Sequence, residues 1–207
     1  ERDQEEFGAW YGRWGVNYIY GTWSVLSSIG VLGEDTAKPY VRKAVAWLKE
    51  IQNEDGGWGE SCNSYDDEML RGKGDSTASQ TAWALLALMA VDEVESSHVK
   101  RGIDYLSRTQ NDDGEWDEEL YTGTGFPRVF YLRYHGYSKY FPVWALAMYA
   151  RLRAGMPTRQ TGIMAQGPID LGPIHFLKTA LCTPLSSPQH LAAAPASTAR
   201  VHRTLVQ

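Results

Sequence analysis

Four aromatic residues of this sequence are spaced in a way that could support chemistry. Phe126, Phe130, Tyr134 and Tyr137 follow one another at intervals of 4, 4 and 3 residues, which would place them on one face of a helix if the segment is helical. Such a stripe is typical of a buried core, but it could also stack against sugars or stabilise a cation over the ring faces. The spacing alone favours the core.

A second concentration of rings lies in Ala9–Trp23, which contains three Trp and three Tyr within 15 residues. The whole chain has 8 Trp and 12 Tyr but only 5 Phe. Because glycines flank both aromatic segments, we predict that the two segments line one cavity at the rim of the fold.

Groups for acid–base or metal chemistry are scattered. Adjacent carboxylates occur at Asp66–Asp67 and Glu118–Glu119, and paired carboxylates can raise one another's pKa. Neighbours along a chain usually point apart, however, so we expect solvated acidic loops. The histidines and the two cysteines lack metal-ligand spacing. Gly72–Ser79 suits a loop in which Ser76 or Thr77 caps the next helix, so the sequence predicts neither a metal nor a cofactor.

A seven-residue segment recurs three times and indicates how the rings are positioned. Each copy has Gln first, Gly fifth and Trp seventh, and the three pairs of Gln and Trp are Gln4 and Trp10, Gln52 and Trp58, and Gln110 and Trp116. We interpret all six as structural residues of turns. The Gly permits the turn backbone, the Trp ring covers the turn, and the Gln amide satisfies loose backbone groups.

Three almost wholly apolar segments each contain one Trp, and these Trp residues lie 60 and 61 residues apart. The segments are Thr22–Ile29, Ala82–Met89 and Val143–Ala150, and a helix that is apolar all round is buried on all sides. Between them, Pro39–Gln52 and Ser97–Gln110 have the apolar spacing of amphipathic helices. The alternation predicts an all-α fold, an α/α toroid with inner and outer helices.

Composition and charge exclude other classes of protein. With 43% hydrophobic residues and a net charge of −5, the chain fits a soluble globular protein and is not expected to bind nucleic acid. The longest strongly apolar run, Ala82–Val91, has ten residues, whereas a membrane-spanning helix needs ~20. Residues 155–207 are rich in Pro, Ala and Ser and contain one aromatic residue. We expect them to be a poorly ordered tail with one short helix near Ile174–Leu181.

Several long segments, taken together, resemble the C-terminal part of the squalene–hopene cyclases. They are the three Gln–Gly–Trp turns, GRWGVNYIYGTW (Gly12–Trp23), STASQTAWALLAL (Ser76–Leu88) and GTGFPRVFYLRYHGY (Gly123–Tyr137). The resemblance covers about residues 4–153. It implies that residues 1–154 are the C-terminal part of an α/α-barrel terpene cyclase domain, which is here an incomplete barrel.

The resemblance also implies an activity and a location. These bacterial enzymes cyclise squalene, or a similar polyene, to hopene or hopanol in hopanoid biosynthesis, without a metal or a cofactor. An Asp-rich motif protonates a terminal double bond, and aromatic rings around a dry cavity stabilise the carbocations that follow. The full-length protein is therefore expected to be peripheral or monotopic on the cytoplasmic face of the bacterial inner membrane, with a homodimer as one expected assembly.

The aromatic stripe acquires roles through the same resemblance. Phe126 and Phe130 match cavity phenylalanines that stabilise cationic intermediates, and Tyr134 and Tyr137 match tyrosines that shape the wall against the substrate. The resemblance thus favours a cavity wall over a plain core for these four residues.

Two further residues match the family, and three features depart from it. Trp14 matches a cavity tryptophan, and Tyr20 matches a tyrosine that helps to orient the proton-donating acid through water. No Asp-rich motif occurs in residues 1–207, Phe7 stands where the family generally has Asp, and residues 155–207 match no part of the family. We therefore expect a fragment that forms no cyclic product alone and that leaves apolar inner helices uncovered.

Two other functions remain open at this point. A different α/α-toroid enzyme would be a glycosidase, which needs two carboxylates across its cavity, or a zinc prenyltransferase, which needs three metal ligands. The cavity segments carry rings instead of such groups. The remaining alternative is a non-catalytic stranded fragment or a lipid-binding pseudo-enzyme.

Overall fold

The computed structural model describes residues 1–156, and the expectations for residues 157–207, including the helix near Ile174–Leu181, lie outside them. The described residues form five α-helices, two short 3-10 helices and one β-hairpin. The α-helices are α1 (Tyr18–Leu32), α2 (Pro39–Glu50), α3 (Ala78–Ala90), α4 (Ser97–Thr109) and α5 (Tyr137–Arg153). The 3-10 helices span Cys62–Tyr65 and Glu68–Leu70, and the strands are β1 (Gly123–Phe126) and β2 (Phe130–Leu132).

The α-helices form two layers. Helices α1, α3 and α5 lie side by side with α3 in the middle, and α2 and α4 pack behind them against α3. The order inner, outer, inner, outer, inner along the chain is the one that the 60-residue period predicts, and the α/α-toroid prediction is confirmed. Within residues 1–156 the inner helices form an open row and do not close into a ring.

Burial differs among the inner helices. Every residue of α3 is buried, as predicted for an apolar helix, because α3 has an inner neighbour on each side and outer helices behind it. The prediction of burial on all sides is wrong for α1 and α5. Trp144 is 51% exposed, and Ser24 and Ser28 are exposed within the first segment, because each of these helices has an inner neighbour on one side only.

The glutamines and tryptophans of the repeats hold the turns. The Nε2 of Gln52 donates to the carbonyls of Gly56 (2.7 Å) and His98 (2.9 Å). The indole Nε1 of Trp58 donates to the Leu48 carbonyl at 2.7 Å, inside the preceding outer helix. Gly56 has a φ of +88°, a conformation that favours glycine. The third copy repeats this geometry, with Gln110 bonded to Gly114 and Trp116 to Leu106, both at 2.8 Å.

The amino end of α3 is capped as its sequence predicts. Thr77 is the N-cap residue, and its hydroxyl accepts a hydrogen bond from the Gln80 amide at 3.2 Å. Of the two candidates, Ser76 and Thr77, the second is therefore confirmed. The Thr77 backbone N–H also donates to the Trp58 carbonyl at 3.0 Å, and this hydrogen bond joins the turn to the start of the inner helix.

The aromatic stripe does not lie on a helix. Phe126 and Phe130 are on β1 and β2, which pair antiparallel, and only Tyr137 is helical, at the start of α5. The conditional prediction of a helical face is wrong because Pro127 disfavours helical backbone at the residue before it. Arg128 then turns the chain with a φ of +67°.

Candidate active-site wall

Trp83 is the centre of a cluster of aromatic rings that joins all three inner helices. It lies on α3 and is fully buried. The ring of Tyr20 from α1 contacts the Trp83 ring edge-on, with the two ring centroids 5.0 Å apart, and the ring of Tyr137 from α5 contacts it in the same way at 5.6 Å. Phe141, one turn further along α5, contacts Trp83 at 5.4 Å and Tyr137 at 5.2 Å. Tyr20 and Tyr137, 117 positions apart in the chain, are thus brought to one buried ring.

The hairpin extends this cluster toward solvent. The rings of Tyr134 and Tyr137 lie 4.8 Å apart, and Tyr134 packs so closely on Gly123 of β1 that a Cβ there would be 2.6 Å from the Tyr134 ring. The rings of Phe126 and Phe130 form a pair at 6.0 Å on the hairpin. Both residues are about half exposed, so part of each is accessible to a ligand.

Trp14 is joined to the hairpin through its backbone. The Trp14 carbonyl accepts a hydrogen bond from the Thr124 amide at 3.1 Å, and the Val16 amide donates to the Thr122 carbonyl at 2.9 Å. The Trp14 ring is 52% exposed, and its face is covered by the Arg13 guanidinium, 5.3 Å from the ring centroid. The structure therefore places Trp14 beside the strand that carries Phe126.

Buried polar side chains hold the backbone on both sides of Trp14. The Tyr65 hydroxyl donates toward the Gly12 and Gly15 carbonyls at 2.6 and 3.0 Å. The Nε2 of Gln80 donates to the Val16 carbonyl at 2.9 Å. Sequence reasoning did not identify either residue, because both contacts join positions 50 or more residues apart.

The acidic pairs do not form catalytic dyads. Asp66 makes an exposed ion pair with Arg128 at 3.3 Å, and the Asp67 carboxylate accepts from the Met69 amide at 2.8 Å as the cap of a 3-10 helix. Glu118 accepts from the Ser79 amide at 2.9 Å. These carboxylates serve backbone groups or surface pairs.

The ring cluster carries no formal charge at neutral pH. Burial is the main cause that raises the pKa of Tyr20, and burial with the neighbouring Tyr20 and Tyr134 raises the pKa of Tyr137 to about 12. Both phenols therefore stay protonated. A neutral surface of rings stabilises positive charge through the ring quadrupoles, and it offers no anionic nucleophile to a carbocation.

An apolar groove adjoins the cluster. It has a volume of about 240 Å³ and runs between α1, α3 and α5, where Val31, Leu86, Trp144 and Leu152 line it. Trp144 connects it to the cluster, because its ring stacks on that of Phe141 at 6.2 Å.

Residues 1–156 lack two other kinds of feature. No group of three or more His, Cys, Asp or Glu side chains is placed to hold a metal ion. None of the helices there is both long enough and apolar enough to span a bilayer.

Comparison with known proteins matches the sequence of this chain to one family. The family profile for the squalene-hopene cyclase C-terminal domain matches residues 1–151. The squalene–hopene cyclase of Zymomonas mobilis is 61% identical over 156 residues, which are 73% of this chain and 23% of that protein. That of Alicyclobacillus acidocaldarius is 54% identical over 149 residues, 72% of this chain and 24% of that protein. The dammaradiene synthase of Dryopteris crassirhizoma is 46% identical over 168 residues, 74% and 24% of the two chains.

The matched region is nearly the same as the region of the sequence resemblance, which is thereby confirmed. The chain spans about a quarter of the length of the curated relatives it matches. Because the profile covers well over half of the chain, the chain belongs to the squalene–hopene cyclase family, whose C-terminal domain it carries.

Proposed function

We propose that the chain is part of an enzyme that cyclises squalene or a similar polyene through carbocations, with hopene or hopanol as the product. Residues 1–154 would form the C-terminal part of its barrel domain. The observation that carries this proposal is the uncharged aromatic wall, in which rings from α1, α3 and α5 meet at Trp83 and continue to the hairpin.

Each wall residue receives a role in this proposal. The half-exposed faces of Phe126 and Phe130 stabilise cationic intermediates, and each such contact contributes about 0.5–2 kcal/mol. Tyr134 and Tyr137 shape the surface against which the polyene folds, and Trp14 closes it beside β1. Tyr20 supports the acid that begins the reaction.

The chemistry needs three kinds of event. A proton adds to a terminal double bond, each ring closure forms a carbon–carbon bond and moves the cation onward, and a proton loss or water capture ends the sequence. The rings of the wall stabilise the carbocations of the ring closures, and they supply neither the first proton nor the final base or water. The printed sequence has no Asp-rich motif, so we assign the proton donor to none of its residues and expect residues 1–207 alone to form no cyclic product.

The product and the location are parts of the same proposal. Hopene is favoured over other triterpenes because identity to the squalene–hopene cyclase of Zymomonas mobilis is 61%, against 46% to the dammaradiene synthase. A hydrocarbon substrate dissolves in lipid, so we propose a peripheral or monotopic protein on the cytoplasmic face of the bacterial inner membrane. A homodimer is the assembly that we propose for it.

A chimeric enzyme tests the proposal. Residues 1–151 would replace the matching segment of the Zymomonas mobilis cyclase, and triterpenes from squalene would be measured by gas chromatography and mass spectrometry. We expect a cyclic triterpene from the chimera. A chimera that folds and binds squalene without turnover would instead support a lipid-binding pseudo-enzyme.

Variants of the chimera test the wall itself. Phe126→Ala and Phe130→Ala should each reduce the rate by about 2- to 30-fold, which is the free energy of one cation–π contact expressed as a rate. The matched control is Val129→Ala, which lies between them on the hairpin and is 75% exposed. Equal rates for all three variants would contradict the proposed role of the rings.

A further inference from the structure

A buried carboxylate lies beneath the start of α1. Glu60 is 4% exposed, and its Oε2 accepts hydrogen bonds from the backbone N–H groups of Asn17 at 3.2 Å and Ile19 at 3.0 Å. These amides belong to the first residues of a helix, where N–H groups have no partner within the helix. Burial raises the pKa of the Glu60 carboxyl, and the hydrogen bonds from Ile19 and Asn17 oppose that rise, as does the positive end of the helix dipole.

Glu60 takes the place of the usual local cap. Asn17 is the N-cap residue of α1, but its side chain makes no capping hydrogen bond. Its Oδ1 accepts from the Gly12 amide at 3.3 Å and its Nδ2 donates to the Ser64 hydroxyl at 3.1 Å. The start of α1 therefore depends on a side chain that is 41 residues away from Ile19 in the sequence.

The same contact occurs in the next repeat, which makes it part of the repeat architecture. Glu60 lies two residues after Trp58, and Glu118 lies two residues after Trp116. The Oε2 of Glu118 accepts from the amide of Ser79, the second residue of α3, at 2.9 Å, just as Glu60 accepts from the second residue of α1. The second and third repeats thus continue past their Trp to a glutamate that accepts a hydrogen bond at the start of the preceding inner helix, whereas the first repeat has Gly12 at this position.

The residues held by Glu60 lie between two members of the wall. Trp14 is three residues before Asn17, and Tyr20 is the residue directly after Ile19. The Glu60 backbone is itself fixed by the side chain of Gln80. The Gln80 Oε1 accepts a hydrogen bond from the Glu60 N–H at 3.0 Å, and the Gln80 Nε2 donates to the Glu60 carbonyl at 3.0 Å. The carboxylate is therefore a fixed point against which this backbone is set.

We propose that Glu60 is a positioning residue that holds Trp14 and Tyr20 in the aromatic wall and so determines how far cyclisation proceeds. The role rests on the proposed function, but the placement of the two amides is independent of it. In this role Glu60 acts through the backbone of α1, to which its Oε2 is hydrogen bonded, and not by contact with the reacting atoms.

Hydrogen exchange of the 207-residue chain tests the placement. In Glu60→Ala, the amides of Asn17 and Ile19 lose their acceptor and should exchange on the order of tenfold faster. The matched control is Ser96→Ala, which removes the N-cap of the outer helix α4, where the Ser96 hydroxyl accepts from Val99. It should leave these two amides unchanged. Unchanged exchange in Glu60→Ala would overturn the proposal.

A conservative variant keeps the test decisive if the alanine variant does not fold. Glu60→Gln retains one carbonyl oxygen that can accept from the same amides, so Asn17 and Ile19 should exchange within about threefold of the wild-type rate. Exchange in Glu60→Gln as fast as in an unfolded peptide would show that hydrogen bonds to this side chain do not hold the segment, and the proposal would then be wrong.

Product analysis in the chimera tests the consequence for the reaction. Glu60→Ala should yield the same incompletely cyclised products as Trp14→Ala, whereas Ser96→Ala should lower the yield at most and leave the product ratio unchanged. An unchanged product ratio in Glu60→Ala would overturn the role in the wall. If the unsubstituted chimera makes no cyclic product, the proposed function fails, and the exchange experiment still decides the placement.

Discussion

Replacing Gly125 by Ala should displace one ring of the wall while leaving the backbone intact. An ideal Cβ at Gly125 would lie 2.0 Å from the Cε2 of Phe130, and ordinary contact begins at 3.4 Å. The ring must therefore move by about 1.4 Å. Gly125 is not among the residues with positive φ, so alanine brings no backbone strain, and Phe130 is half exposed and free to move outward.

The expected result is a loss of activity with little loss of stability. A ring displaced by this distance loses much of its cation–π contact, so Gly125→Ala in the chimera should slow turnover by up to about 30-fold or shift the products toward incomplete cyclisation. Its melting temperature should stay close to that of the parent, since alanine also restricts the unfolded chain. The control is Val129→Ala on the same hairpin. An unchanged rate and product ratio would refute the assignment of Phe130 to the wall.

Two further predictions concern stability. Trp58→Phe removes the indole donor from the buried Leu48 carbonyl and leaves a void, so the free energy of unfolding should fall by about 2–4 kcal/mol in a denaturant titration. The control is Trp144→Phe, which should lower the free energy of unfolding far less because Trp144 is half exposed. The pKa of Tyr137, raised by burial to about 12, predicts a pH dependence. The unfolded phenol titrates near pH ~10, so its contribution to stability is complete below that pH and is lost as the pH rises toward 12. The melting temperature of Tyr137→Phe should therefore fall less between pH 10 and 12 than that of the unsubstituted chain. An equal fall in both would contradict the assignment of the raised pKa to Tyr137.

The repeat period was the most informative signal in the sequence. Trp23, Trp83 and Trp144 recur because each inner helix occupies an equivalent place in the row, so their spacing predicts the layers. The extent of burial did not follow from composition. Trp83 is fully buried and Trp144 is half exposed in similar apolar segments, because burial depends on how many neighbours a helix has.

The hairpin was missed for a local reason. Intervals of 4, 4 and 3 residues fit one face of a helix, and this spacing conflicts with other features of the segment that disfavour a helix. Those features were present: Pro127 follows Phe126, and Gly123 and Gly125 lie within one short stretch. Gly125 is now explained by the Phe130 ring that lies against it, a contact that the spacing could not indicate.

The polar contacts beneath the wall show what a single sequence can and cannot provide. Nothing in the sequence predicts that Tyr65 reaches Gly12, because that contact depends on how separate segments pack. The role of Glu60 was accessible in part, since Glu60 and Glu118 recur at the same offset from the repeat Trp. A recurring acid beside a recurring aromatic residue indicates a repeated contact, although not its partner.

The placement of the carboxylates also follows from the chemistry that we propose. A free carboxylate in the wall would attack a carbocation or take a proton from it, and cyclisation would stop early. The structure uses Glu60 and Glu118 differently, because both accept hydrogen bonds from backbone amides at the starts of inner helices. The acids stabilise the elements that carry the rings, and the wall formed around Trp83 stays neutral. A wall that must be both rigid and uncharged is thereby held by two carboxyl groups whose Oε2 atoms accept hydrogen bonds from the backbone of inner helices.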